Sequence, residues 1–246
     1  MADKYIKRSE GFTLVELSIV IIIIGFLIAG ISAGQSLIKQ AALTSTINDY
    51  GSYVTAVRSF EARYGYLPGD FPNASSYWAT AVNGNGDGII EPYLNAVQLA
   101  ENFNAWNQLA FAGIIPGNYP PGAIAAAIGV TSPTSKLSTA TGFDFDYFTV
   151  FGRTGGAMVL ASVPWVTGAL NGGGMTPADG AAMDQKMDDG NPGTGRMFIE
   201  RGAEYTNDAT KCVDQPESAA LGTPVNFLFN DTSVSCRSWF FFDLDN

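Results

Sequence analysis

Histidine is absent from this chain. It is the commonest general base near neutral pH and a frequent zinc ligand, so its absence removes Ser-His and Cys-His nucleophile pairs and most zinc sites. Basic residues are also scarce, with 13 Lys and Arg against 23 Asp and Glu and a formal charge of −10. Binding to nucleic acid depends on Lys and Arg that neutralise phosphates. We therefore expect no catalytic residues and no nucleic-acid partner.

Proline is missing from the whole stretch between Phe12 and Tyr64. The residues from Leu17 to Ile31 are almost all apolar, and about 20 residues counted from Phe12 suffice to cross the ~30 Å hydrocarbon core of a membrane. Three basic residues precede this stretch: Lys4, Lys7 and Arg8. By the positive-inside rule they hold the N-terminus in the cytoplasm, so we predict a membrane helix that sends the rest of the chain outside.

The helical pattern continues beyond this membrane span. Apolar residues recur at steps of three and four, which predicts one apolar stripe: Leu43, Ile47, Tyr50, Val54, Val57 and Phe60. We predict a single helix of about 50 residues, ~75–80 Å long. Its half 12–34 is apolar all round, which suits burial in a membrane or among other helices, and its half 35–64 has one apolar face, which suits packing on the rest of the chain. A membrane anchor followed by an unrelated coiled coil is the alternative.

A specific motif precedes the apolar stretch. Gly11 is followed by Phe12-Thr13-Leu14-Val15-Glu16, which resembles the leader junction of type IV prepilins and of the pseudopilins of type II secretion systems. The resemblance implies that residues 1–11 are a leader peptide and that a prepilin peptidase cleaves between Gly11 and Phe12. Phe12 then becomes the N-methylated first residue. An ordinary secretory signal would place its cleavage site after the apolar stretch instead.

Glu16 is the one charged residue within the apolar stretch. A charged side chain inside a membrane helix costs about 2.5–3.5 kcal/mol even on a lenient insertion scale, so this carboxylate should have a partner. The resemblance implies that the partner is the cationic amine of Phe12 on a neighbouring subunit, which Glu16 neutralises during assembly. The alternative is a glutamate that reaches the membrane interface and has no assembly role.

The remaining chain, residues 65–246, reads as a head with both helices and strands. One helix is predicted to end at Gly113 and another to run from Pro177, capped by Thr176, to about Asp188. The first carries a set of apolar residues: Leu94, Val97, Phe103, Trp106 and Leu109. Strands are predicted at 145–151, 157–161, 197–200, 225–229 and 239–242, with a hairpin loop at 152–156. This pattern predicts an α+β fold, a pilin-like ladle whose long N-terminal α-helix packs on a globular head with an antiparallel β-sheet.

Oxygen-bearing side chains alternate with glycines between Asn83 and Glu91. The spacing is similar to the start of an EF-hand loop and predicts a set of Ca²⁺ ligands: Asn83, Asn85, Asp87, the Ile89 carbonyl and Glu91. Leu94 stands where an EF-hand has its glutamate. The resemblance allows such a site, because major pseudopilins carry calcium in a head loop. A glycine-rich turn whose Asn and Asp side chains bond their own backbone is the alternative.

The densest acidic segment, residues 182–190, places Asp184 and Asp188 on one helical face. No base or nucleophile accompanies them, so we interpret the segment as a solvated helix end and a turn rather than a catalytic carboxylate pair.

Only two cysteines are present, Cys212 and Cys236. In an exported protein such a pair predicts one disulfide, worth roughly 3 kcal/mol for a loop of this size. Two buried free thiols are the alternative. The pair resembles the one that closes the C-terminal loop of type IV pilins.

These features predict a structural subunit of a type IV pilus-like filament, polymerised through its N-terminal helix. The expected partners are further copies and related minor pilins, prepilin peptidase, the inner-membrane assembly machinery and the membrane itself. We expect the chain in the bacterial inner membrane before assembly, with its N-terminus cytoplasmic, and then in a periplasmic or extracellular filament. The alternatives are a pseudopilin of a type II secretion system and a membrane-anchored exported binding protein. Apart from Ca²⁺, no cofactor is expected.

Overall fold

The structure is a computed structural model that describes residues 11–92, 100–163 and 169–242. The chain divides into two compact units, Met1–Ala41 and Ala42–Asn246. A helix of 51 residues, α1 (Leu14–Tyr64), begins in the first unit and ends in the second. The predicted single helix without a break is therefore confirmed, and the absence of proline explains its continuity.

The first unit leaves its apolar side chains uncovered. Every large apolar side chain from Phe12 to Ile38 is at least 48% exposed. By its length and composition, α1 is long and apolar enough to cross a membrane. Among the residues from 11 to 41 that the structure describes, none buries that surface, which is the kind of apolar patch that lipid or another chain covers.

The second unit begins where α1 acquires buried side chains. Leu43, Val57 and Phe60 are buried in its core, and the other residues of the predicted stripe pack against that core while partly exposed. Tyr50 stacks on Phe240 with ring centroids 4.3 Å apart. The predicted apolar face from Leu43 to Phe60 is confirmed.

Three shorter α-helices follow among the described residues of this unit: α2 (Ala74–Tyr77), α3 (Glu101–Phe111) and α4 (Pro177–Met187). The α3 helix carries Trp106, which stacks on Phe145 of the sheet at 4.4 Å. The predicted residues Leu94 and Val97 lie outside the described part of the chain. The start of α4 is confirmed, because Thr176 and Asp179 form a capping box ahead of Pro177.

Four strands form one antiparallel sheet in the order β1-β2-β4-β3: β1 (Thr141–Val150), β2 (Arg153–Ser162), β3 (Met197–Arg201) and β4 (Cys236–Phe241). The α+β class is confirmed. The strand predicted at 225–229 is wrong, since this segment makes only an isolated bridge from Phe227 to Val213. Asp214 explains the difference, because its carboxylate accepts bonds from both the backbone and the side-chain nitrogen of Asn226, and such side-chain bonds compete with a strand ladder.

The hairpin loop predicted at 152–156 is also wrong. β2 already begins at Arg153, and the turn consists of Phe151 and Gly152, with φ angles of 46° and 76°. A turn with both central residues in the left-handed region is the tight hairpin turn, which Asn-Gly usually signals. Here Phe151 is buried and its amide donates to the Glu217 carbonyl at 2.8 Å. Tertiary packing therefore holds Phe151 in a left-handed turn conformation that the local sequence does not predict.

Candidate functional site

The start of α1 forms a reciprocal cap. The amide and the hydroxyl of Thr13 both donate to Glu16 Oε2 at 2.8 Å, and the Glu16 amide donates back to Thr13 Oγ1 at 3.2 Å. This is a capping box, which satisfies amides that have no partner within the helix. The sequence analysis missed the role of Thr13, although the pattern Thr-x-x-Glu signals it.

Glu16 keeps part of its carboxylate available for another partner. Both Thr13 bonds go to Oε2, and among the described residues of this unit none donates to Oε1. Ser18, the next polar residue, is satisfied within the helix, since its hydroxyl donates to the Val15 carbonyl at 2.8 Å. Glu16 therefore retains one carboxylate oxygen without a donor from the described part of this unit. That a neighbouring chain supplies its partner stays a prediction.

The predicted processing site lies directly before this cap. Gly11 and Phe12 are both exposed, and Phe12 has 91% of its surface open to solvent. A Cβ atom built on Gly11 meets no atom within 4 Å. The described structure therefore imposes no steric requirement for glycine at position 11, and cleavage after it stays a prediction.

Residues 6–32 match the family model of the prokaryotic N-terminal methylation motif. These residues carry the prepilin-type motif of type IV pilins and pseudopilins. Neither the curated proteins nor the solved structures give a match to the chain. The prepilin-type motif covers the cap, Glu16 and the exposed apolar surface as far as residue 32, and it ends before the second unit begins. This family model does not cover the polar sites of the second unit, so their geometry alone indicates what they can bind.

The loop Asn83–Glu91 is organised around two carboxylates that the sequence analysis missed. Asp70 accepts the amides of Gly86, Asp87 and Gly88, at 2.5, 3.0 and 2.9 Å. Glu101 accepts two further amides of the loop, at 2.9 and 3.2 Å. Both side chains are buried. No local signal indicates them, because they lie outside the loop and only tertiary folding brings them to it.

The predicted calcium ligands of this loop are only partly brought together. Asn85 Nδ2 donates to Asp87 Oδ2 at 2.9 Å, whereas Asn83 Oδ1 accepts the Ser75 amide at 2.8 Å. The side chains of Asn85 and Asp87 also accept amides two residues further on, at Asp87 and Ile89. This is the self-bonded turn that was the alternative interpretation. Calcium binding at Asn83–Glu91 stays a prediction.

The cysteine pair forms the predicted disulfide. Cys212 and Cys236 are joined, both are buried, and the bond closes a separation of 24 residues. It ties the irregular segment before β4 to the first residue of that strand. The prediction of one disulfide is confirmed, and the alternative of two free thiols is wrong.

A buried ionic network lies close to the disulfide. Arg237 Nε donates to Glu200 Oε1 at 2.9 Å, and its Nη2 pairs with Glu217 Oε2 at 3.0 Å. Trp239 Nε1 donates to the same Glu200 oxygen at 2.5 Å. Donors therefore compensate the buried charge of Glu200, and the network fastens the sheet to the segment that carries Glu217.

The interpretation of residues 182–190 as a solvated helix end is wrong for Asp184. This side chain has no exposed surface, while Asp188 is half-buried and Asp189 is exposed. The sequence pattern shows which residues share a face of α4. It does not show that the last turn of α4 is covered by other parts of the head.

Proposed function

We propose that this chain is a structural subunit of a type IV pilus-like filament, cleaved after Gly11 and polymerised through α1. The prepilin-type motif supports a type IV pilin or pseudopilin-like protein, and such a protein has a structural rather than an enzymatic role. The observation that carries the proposal is an uncovered apolar surface, from Phe12 to Ile38, that contains a single carboxylate.

The apolar surface supplies the driving force for assembly. Fully burying one large apolar side chain is worth about 1.5–3 kcal/mol, and many such side chains lie on one helix. Lipid covers them before assembly, and the same helices of neighbouring copies cover them in the filament. The exchange needs no chemistry from the head.

The carboxylate supplies the register. Cleavage after Gly11 creates a cationic amine on Phe12, and the Oε1 atom of Glu16 is available to a neighbour. When the helices pack side by side, a Glu16 without a partner leaves a buried charge uncompensated, so subunits that pair Glu16 with a neighbouring Phe12 amine are favoured.

The disulfide favours a pilus over a secretion pseudopilus. It resembles the bond that closes the C-terminal loop of type IV pilins, and here both of its cysteines are buried beside β4. A pseudopilin of a type II secretion system is the second candidate, favoured by the predicted calcium loop.

Two variants separate the charge of Glu16 from its capping role. Glu16→Gln keeps a side-chain oxygen that can accept the Thr13 bonds but removes the charge. We expect normal cleavage and a loss of sheared filaments of roughly 10²- to 10⁴-fold, because removing one partner of a buried ion pair costs about 3–5 kcal/mol. Filaments are counted by electron microscopy, and cleavage with N-methylation is read by mass spectrometry.

Thr13→Ala is the matched control. It removes the cap, at a cost of about 1 kcal/mol, but leaves the carboxylate in place. Filaments should persist in this variant. A normal filament yield from Glu16→Gln would show that the charge is not needed for assembly. Filaments lost only in Thr13→Ala would show that the cap is needed instead.

A further inference from the structure

Three carboxylates meet at the C-terminal end of α4. Asp184 lies in its last turn, Asp188 is its C-cap residue, and Asp189 follows directly. One oxygen of each lies within 4.8 Å of the others. The three side chains thus form a cluster at one point of the head, which is separate from the loop Asn83–Glu91.

Asp184 is the unusual member of this cluster. It has no exposed surface, and no donor in the described structure meets full hydrogen-bond geometry at either of its carboxylate oxygens, although the backbone amide of Gly190 lies close enough to lower its pKa. Asp70 is buried to nearly the same extent but accepts three backbone amides. Buried polar groups in folded proteins almost always have partners. The oxygens of Asp184 therefore indicate a partner other than a protein donor, one that interacts with the carboxylates of Asp188 and Asp189 as well.

Mutual repulsion of the three carboxylates, close to the negative end of a helix, destabilises the fold unless a positive charge compensates it. Asp184 and Asp188 are like charges four residues apart on a helix, and the C-terminus of a helix carries partial negative charge. Within the described residues, none of the three carboxylates forms an ion pair with Lys or Arg. Burial raises the pKa of Asp184 to about 7, and the charges of Asp189 and Asp188 add to the effect.

The other two carboxylates are held in place by the following loop. Asp188 Oδ2 accepts the amides of Arg196 and Met197, the second at 3.0 Å. Gly195 has a φ of +77°, and a Cβ there would collide with the Asp188 carboxylate. The amides of Arg196 and Met197 occupy both lone-pair positions of Asp188 Oδ2, whereas Asp188 Oδ1 makes no hydrogen bond to a described residue.

Asp189 is fixed in the same way. Its Oδ1 accepts the Asn191 amide at 2.8 Å, and its Oδ2 accepts the Thr194 hydroxyl at 2.5 Å. Its exposure opens one side of the cluster to solvent. The fold therefore positions the carboxylates of Asp188 and Asp189 by hydrogen bonds, and the exposed Asp189 is the side of the cluster from which an ion would enter.

We infer that Asp184, Asp188 and Asp189 bind a divalent cation with the size and ligand preference of calcium. Oxygens on one calcium ion lie about 2.3–2.6 Å from the metal, so they are separated by at most roughly 4.6–5.2 Å. The cluster fits within that span. Calcium accepts irregular arrangements of carboxylates and completes its shell with water, which the exposed side at Asp189 supplies. The ion would stabilise the end of α4 and the loop that follows it.

Thermal unfolding of the full-length protein in detergent tests this inference. We expect the melting temperature to rise by roughly 5–10 °C between EGTA and calcium chloride at about 100 times the dissociation constant. Asp184→Asn, which keeps the shape and removes the buried charge, should abolish this rise. In EGTA the variant should melt no lower than the wild type, because it no longer buries a repelled carboxylate.

Asp87→Asn is the matched control in the loop Asn83–Glu91. It should keep the full calcium-dependent rise if the ion binds at Asp184, Asp188 and Asp189. A wild type that does not respond to millimolar calcium overturns the inference. It is equally overturned if Asp184→Asn keeps the rise, or if Asp87→Asn loses it.

Discussion

Two phenylalanines on one helix behave in opposite ways. Phe26 and Phe60 both belong to α1, yet Phe26 is 76% exposed in the first unit and Phe60 is fully buried in the second. Phe60 packs against Tyr64, Phe71 and Trp78, with ring centroids 4.5–6.3 Å away. The same residue type in the same secondary structure thus stabilises the head at one position and remains available to a partner at the other.

The comparison separates assembly from folding. The described residues of the first unit form no buried core within that unit, so substitutions there are expected to act on processing and on association. Residues of the second unit form a core, so substitutions there are expected to act on the free energy of unfolding. The division is supported if a substitution in the first unit changes processing or association without changing the free energy of unfolding, and if a substitution in the second unit changes that free energy. It is contradicted if one substitution changes both.

The largest expected effect belongs to Gly11. Gly11→Ala should abolish cleavage of the leader, because a prepilin peptidase that recognises glycine rejects the added methyl group. An uncut band on a gel and an unmethylated N-terminus in mass spectrometry would record the loss. Gly25→Ala is the control, since its Cβ also meets no atom within 4 Å, and it should be cleaved normally. Normal maturation of Gly11→Ala would refute the assignment of the leader.

The second expected effect contrasts the two phenylalanines directly. Phe60→Ala should lower the free energy of unfolding of the head by about 3–5 kcal/mol, because it leaves a cavity in the aromatic core. Phe26→Ala should change it by less than ~0.5 kcal/mol. Urea unfolding of the full-length protein in detergent, followed by tryptophan fluorescence, measures both. If both variants lose similar stability, the head core extends into the first unit and the division fails.

The sequence was sufficient where a local pattern decides the structure. Spacing and residue type predict four features that the structure confirms: the unbroken helix, the stripe from Leu43 to Phe60, the cap at Thr176 and the disulfide between the two cysteines. The capping box of Thr13 and Glu16 was readable in the same way but was missed.

Tertiary contacts decided what the sequence could not. The amide of Phe151 in the hairpin turn donates a hydrogen bond to a distant segment, and Asp70 reaches its loop only in the folded head. The burial of Asp184 likewise depends on what covers the last turn of α4. None of these contacts has a signature within a short window of sequence, since each joins residues that are far apart in the chain.

The smallest of the expected effects concerns the disulfide. Replacing Cys212 and Cys236 together by serine should cost roughly 3 kcal/mol of unfolding free energy, because the unfolded chain gains the freedom that the closed loop denied it. Cleavage at Gly11 should be unaffected, since the bond lies wholly in the second unit. Urea unfolding of the variant, beside the wild type with and without reductant, measures the cost. Reduced wild type should match the variant. A double-serine chain as stable as the oxidised protein would mean that packing around Cys212 and Cys236 holds this segment without the bond.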